Sequence, residues 1–469
     1  MFLLIFLTTA ATSLYSVLTK GPGGNVRHIW WCAVLLVPTW LTAQQRSIEL
    51  DLRTAAAGGC LCGILCVWGS GIRFRWLFSD TCICVIVGVQ IASQFWVGDL
   101  RPLTSFEIAR EWLLPYSVGR FFLRSTQDIA NMHGFARIAA VLSILAIVEA
   151  FAQFNLLSVL TGKSFGLLEQ GEGYRWGLKR AQGSFVHPIF FGLGLIMIMP
   201  WALEASRLVD QKAGKRWWRI LPWLVATAIF VTVSRGPQMA LGGVLFFNTF
   251  FRRPAWRSVM ATAAIVVLTV GWLGKDTVMS QLSAWAGEDS NRRIIVINGE
   301  ESEYSGTLHR LLLFSVYQEA LEQTGLFGHG VRLIGVEAAG GDRRFASIDN
   351  HYLLFTLQHG YGGLLAFAAL AVCALRYTSQ VALNHKSSAS GIAGALFGSL
   401  FAVDLLLMTV WFAPDFGAVW LFSTGLAGCL YCLPDEPICH QDSDLGHEPA
   451  GRNHVSFRDR SLSLQPIPL

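Results

Sequence analysis

Long apolar runs alternate with short polar connections along this chain, and run length is its strongest signal. Thirteen runs stand out. The first seven lie near Phe2–Leu18, Ile29–Ala43, Thr54–Gly69, Cys82–Gly98, Phe106–Leu123, Phe135–Leu157 and Ile189–Ala205. Trp217–Val233, Gln238–Phe251, Ser258–Leu273, His351–Leu375, Gly391–Phe412 and Phe416–Leu433 follow. A helix needs ~20 residues to cross the hydrocarbon core of a bilayer, and a single segment can satisfy its own backbone in lipid only as a helix. The expected fold class is therefore all-α, a polytopic transmembrane bundle of about 11–13 spans with one large extracytoplasmic loop. Phe106–Leu123 fits least well, because Glu107, Arg110, Glu111 and Pro115 interrupt it. That pattern suits an interfacial or re-entrant helix. The opening "MFLLIFLTTAATSLYSVL" lacks a basic n-region and reads as a first membrane helix, not a signal sequence.

Composition agrees. Of the 469 residues, 53% are hydrophobic and 14% charged, where a soluble domain carries about 25% charged. Mean hydropathy is +0.47. The ten cysteines lie mostly inside apolar runs and read as small hydrophobes. Cys429–Cys432 has redox spacing but sits in a lipid-length run, so no chemistry is assigned to it. The net charge of +5 is what basic cytoplasmic loops produce, and it implies no nucleic acid.

Lys and Arg in short loops set orientation. Arg207–Arg219 and Phe251–Arg257 are strongly basic and face the cytoplasm, which puts Arg376–Lys386 and the C-terminal tail there too. Thr161–Pro188, the turn Ser234–Pro237 and Lys275–Asn350 then face outward. The domain expectation is N-terminal membrane helices over 1–160, a membrane domain over 161–433 that includes the outer loop 275–350, and a disordered cytoplasmic tail over 434–469. No internal repeat of the secondary-transporter kind is visible. Within the outer loop, Leu308, Leu311, Leu312, Val316 and Ala320 follow helical spacing, and Gly325 can end that helix in the left-handed region.

Candidate chemistry gathers in the outward connections. In Ser234-Arg235-Gly236-Pro237, proline suits the first turn of a helix whose positive N-terminus stands beside an arginine, a pairing that favours a phosphate. Snorkelling to lipid headgroups is an equal reading of Arg235. Arg175, Lys179, Arg180 and His187 crowd another outer loop, where such charge is unexpected unless it meets an anion, whether substrate or lipid. In Asp349-Asn350-His351 the carboxylate can act as a general base, the amide can orient a substrate and the imidazole can shuttle a proton. Helix capping explains Asp349 and Asn350 equally well. His187, His309, His329, His351 and His359 all fall outside, yet none has metal-site spacing, so no metal is expected.

Taken together, these residues resemble the O-antigen ligase and polymerase superfamily, the bacterial Wzy-type and WaaL-type membrane glycosyltransferases. The resemblance rests on the Ser-Arg-Gly turn at Ser234–Gly236, on "TGLFGHG" and on "DNHYLLFTLQHGYGGLL", over roughly Arg175 to Leu365. It implies a bacterial cytoplasmic-membrane enzyme, working on the extracytoplasmic face without cofactor or metal. Such an enzyme moves a glycan from undecaprenyl diphosphate to an acceptor sugar hydroxyl. Its partners would be the lipid-linked donor, the glycan acceptor, membrane lipid and a chain-length regulator protein. By the same resemblance Arg180 and Arg235 bind the diphosphate, Asp349 and His351 are catalytic, and Arg175, Lys179, Arg310 and Asn350 position substrate. The family histidine falls on Asp349 here, which favours a polymerase of exopolysaccharide or O-antigen repeats over a ligase to lipid A core. Both stay open. A polysaccharide transporter is the remaining alternative; it would need ionisable groups at mid-membrane, for which only Glu149 and Asp404 qualify.

Overall fold

In the computed structural model the described residues are 2–20, 26–38, 40–45, 48–67, 75–123, 125, 128–129, 133–162, 173–209, 216–274, 293–297, 300–304, 313–333, 336 and 348–433. All lie within the compact unit Met1–Glu436. The tail from 434 onward, Arg310, and Leu308, Leu311 and Leu312 of the expected loop helix lie outside them.

The chain is mostly helical, and each of the thirteen apolar runs is built on a helix. Among the described residues, five helices are long and apolar enough to cross a membrane: Phe78–Trp96, Gly134–Ala152, Pro188–Leu208, Pro254–Leu273 and His351–Leu383. Leu3–Thr19, Leu52–Cys66, Trp217–Val231 and Ser390–Leu406 are apolar but shorter. The run read as Ile29–Ala43 contracts to the helix Val26–Leu35, of 10 residues. Pro38 follows closely, and a helix rarely continues into a proline because the residue before it is pushed out of the helical region. Strands among the described residues form three antiparallel hairpins: Ala43–Gln45 with Ile48–Leu50, Tyr174–Arg175 with Leu178–Lys179, and Arg293–Ile297 with Glu300–Tyr304. The last lies in the loop 275–350 expected to face outward.

The core is aromatic. Trp31 sits with its ring centroid 4.7 Å from both Phe135 and Phe422, and Phe422 is 4.8 Å from Phe122. The segment expected to be interfacial or re-entrant is instead the helix Pro102–Arg120, packed lengthwise along Pro414–Cys432. Glycine permits that approach: a Cβ at Gly119 or Gly425 would strike the Phe422 or Tyr116 carbonyl of the facing helix. Arg120, at the end of this helix, is paired inside the bundle, with Nε 3.0 Å from Asp80 Oδ1.

The helix His351–Leu383 is two pieces. Gly360 between them has φ +70° and ψ −177°, which no helix contains. Sixteen residues of straight helix rise about 24 Å, yet the His351 and Phe367 rings lie 4.9 Å apart. His351–His359 therefore folds back onto the second piece, and the apolar run from His351 is interrupted at Gly360. A broken helix exposes carbonyls and amides that lipid cannot satisfy. Here the "TGLFGHG" segment satisfies them: His329 and Gly330 N–H donate to Leu357 O and Gln358 O at 2.8 and 2.9 Å, while Tyr361 and Gly362 N–H donate to Gly325 O and Leu326 O at 3.1 and 3.2 Å. Gly325 has φ +58°, as expected for the end of the loop helix, whose described part is Gln318–Gln323. Leu313, Val316 and Tyr317 pack on Leu353 and Leu357 of the folded-back piece as a second, smaller core.

Candidate functional site

The Ser234-Arg235-Gly236-Pro237 turn begins the helix Arg235–Arg252, with Pro237 in its first turn. Ser234 occupies the capping position but makes no side-chain cap bond. Its hydroxyl donates to Thr232 O at 3.1 Å and accepts from Arg180 Nη2 at 3.1 Å. The residue before it, Val233, has φ +48°. A β-branched residue there costs about 1–3 kcal/mol and persists only where its surroundings over-determine it. The surroundings are arginines. Arg180 Nε reaches Thr232 O at 3.5 Å, and Arg175 Nη1 reaches Val233 O at 3.3 Å.

Arg175 lies in the hairpin Tyr174–Lys179 and Arg180 follows it directly; the turn residues Trp176 and Gly177 have φ +55° and +75°. Positive φ at both central positions is the type I′ geometry that matches strand twist. Arg175, Arg180 and Arg235 are thus gathered from separate stretches of sequence onto one turn. Lys179 departs from them: its ammonium is 3.3 Å from Glu149 Oε1, and its side chain is 2% exposed. The pair is buried, and it gives Glu149 a charged partner inside the bundle.

After Arg180 the chain runs through buried, non-helical residues to His187. His187 Nδ1 accepts from Ile189 N–H at 3.0 Å, which fixes the neutral tautomer with its proton on Nε2. Burial, and then the nearby Arg180 charge, push its pKa down to about 4. It is a neutral donor beside the arginines.

Asp349 and Asn350 open the folded-back helix. Asn350 is the cap, its Oδ1 accepting Leu353 N–H at 3.0 Å. Asn350 is 5% exposed, its side-chain oxygen taken up by this cap. Asp349, one residue earlier, is not the cap and is half-buried. His351 turns inward, 4% exposed, with its ring 4.9 Å from Phe367 and Phe412 and 5.2 Å from Phe355. Neither ring nitrogen has a hydrogen-bond partner among the described residues. His351 is packed among aromatic rings, and His359, buried against Phe355 at 4.7 Å, shares that surrounding.

A shared wall relates the two halves of the site. His351 N–H donates to Leu407 O at 2.8 Å and Val410 O at 3.1 Å. Gly236 faces Leu406, whose Cδ2 would lie 3.3 Å from a Cβ placed there. The segment Leu406–Val410 thus separates the arginine turn from the start of the Asp349 helix, and both lie at one end of the bundle. Trp411 packs on Phe190 at 5.3 Å, which brings the His187 end of the buried loop to the same place. Chemically, this end offers guanidinium groups suited to a phosphate oxygen, a helix N-terminus aligned with them, a neutral imidazole and a carboxylate. No three His, Cys, Asp or Glu side chains come together as a metal site among the described residues. Val233 strain and the Lys179–Glu149 pair escape sequence reasoning, since each depends on a neighbour supplied by the fold, whereas the Asn350 cap is local and among the expected readings. No protein-family model matches the chain, and no curated protein matches it.

Proposed function

We propose that the chain is a glycosyltransferase of the cytoplasmic membrane that polymerises undecaprenyl-diphosphate-linked oligosaccharide repeats at the outer face. One observation carries the reading: Arg175 and Arg180 are laid onto the strained turn that holds Arg235, at the bundle end where Asp349 opens its helix. In this reading the apolar helices cross the membrane as a polytopic bundle, and the arginine end faces outward.

The reaction needs little covalent chemistry from the protein. Diphosphate leaves readily once its charge is neutralised, and Arg180, Arg235 and the Arg235–Arg252 helix N-terminus supply that neutralisation. The acceptor hydroxyl attacks the anomeric carbon of the donor. The bond from that carbon to the diphosphate oxygen breaks, undecaprenyl diphosphate departs with the electron pair, and Asp349 takes the hydroxyl proton. Positioning at one turn contributes the remainder.

The test is Arg235→Lys in purified protein supplied with lipid-linked donor. Lysine keeps the charge but loses the two-pronged geometry that matches phosphate oxygens. Loss of such a contact in the transition state costs about 2–4 kcal/mol, so transfer should fall by roughly two to three orders of magnitude with insertion unchanged. Wild-type transfer by the lysine variant would make Arg235 a lipid-headgroup anchor.

A further inference from the structure

A carboxylate inside a membrane bundle persists only with partners, and those of Glu149 come chiefly from one place. Glu149 lies near the end of the helix His133–Ala152 and is 3% exposed. Its Oε2 accepts Gly183 N–H at 2.9 Å, and its Oε1 accepts Asn155 Nδ2–H at 3.0 Å and lies 3.3 Å from Lys179 Nζ. Asn155 also donates to Gly183 O at 2.8 Å, so the N–H and the carbonyl of Gly183 are both held. Lys179 and Gly183 bracket Arg180.

The rest of this stretch is equally constrained. Arg180 N–H donates to Gly173 O at 2.9 Å, and Ala181 N–H donates to Val231 O at 3.1 Å, just before the strained turn. Ser184 Oγ donates to Leu35 O at 2.5 Å, and Val186 N–H donates to Asp415 Oδ2 at 3.1 Å. Helices distant in sequence thus grip the loop from several sides. Glu149 grips it on both sides of the arginine.

We propose that Glu149 is a positioning residue for diphosphate binding: by anchoring Lys179 and Gly183 it fixes Arg180 against Ser234 in the turn that carries Arg235. This rests on the reading that Arg180 binds the diphosphate. A contact of this kind is demanding, because a displacement of about 1 Å can cost on the order of 100-fold in function. A merely structural ion pair would instead alter how much protein folds and leave the affinity of the folded fraction unchanged.

The experiment measures binding of undecaprenyl diphosphate to the full-length chain purified in detergent, alongside the monodisperse folded fraction. Glu149→Asp keeps the charge but withdraws the carboxylate by about 1.5 Å, one carbon–carbon bond length along the chain. It should weaken probe binding about tenfold or more in folded protein. Glu149→Gln leaves the Lys179 ammonium buried and unneutralised and should weaken binding further. Glu149→Gln combined with Lys179→Met removes both charges together and should recover binding to within about threefold of wild type, as replacing a whole buried pair often does. Folded Glu149→Asp with wild-type affinity overturns the proposal. So does a double variant no better than Glu149→Gln, or a failure of every Glu149 variant to fold, which would assign the residue to folding alone. Arg180→Ala, measured beside them, separates the two levels. If it binds the probe as wild type does, the diphosphate reading falls and the proposal with it; if it binds weakly while Glu149→Asp is unchanged, only the proposal falls.

Discussion

Lys179 and Arg180 are chain neighbours of like charge, yet one is consumed by Glu149 and the other reaches the Ser234 hydroxyl. Lys179 closes the strand Leu178–Lys179, and Arg180 is the first residue beyond it. Asp349, half-buried, and His351, buried, likewise part on either side of the Asn350 cap. His351→Ala should leave transfer per folded molecule within about threefold while lowering the thermal midpoint in detergent, because a ring is removed from among Phe355, Phe367 and Phe412. A folded but inactive His351→Ala protein would make the imidazole the base. At this scale the arginines and the Asp-Asn-His cluster were legible as residue types in unexpected places. Which of them face a ligand was not. Burial is decided by partners 30 or more residues away in sequence, as Glu149 is from Lys179, and neither spacing nor local pattern contains them.

Among the elements, the broken helix at Gly360 is the least ordinary. A Cβ there would run into the Leu326 carbonyl of the glycine segment stitched to it, and φ +70° would strain any residue that carried one. Gly360→Ala should cost about 1–2 kcal/mol in backbone conformation alone and more through the clash, and it should appear as lost monodisperse protein and a lower thermal midpoint. Gly242→Ala, in the helix Arg235–Arg252 with open space around its Cβ position, is the control and should be neutral or slightly stabilising. Equal behaviour of the two variants would mean the folded-back helix is not held as described. Helix positions were readable because apolar run length carries them. The break was not, because the apolar pattern continues through it and one glycine in a helix interior costs only about 1 kcal/mol. The cluster Gly360, Gly362 and Gly363, facing a second glycine-rich segment, is the signal that could have announced it.

At the scale of the whole molecule, the account requires the arginine end to face away from the cytoplasm. Trp176 is 64% exposed at the hairpin tip, and Lys386 is exposed at the opposite end of the helix piece that follows Gly360. In a background with exposed cysteines replaced, Trp176→Cys should react with a membrane-impermeant maleimide in intact cells. Lys386→Cys should react only after the membrane is opened. The reverse pattern would turn the bundle over and place the site in the cytoplasm. The measurement that bears most directly on function is transfer itself, with purified chain in lipid vesicles given an undecaprenyl-diphosphate-linked oligosaccharide. Glycan length and released carrier are followed together. Wild-type protein should lengthen the glycan. Asp349→Asn should still bind the carrier yet elongate about 100-fold more slowly, because an amide cannot take the hydroxyl proton. Wild-type protein that leaves the oligosaccharide unchanged, or Asp349→Asn that keeps pace with it, would contradict the account.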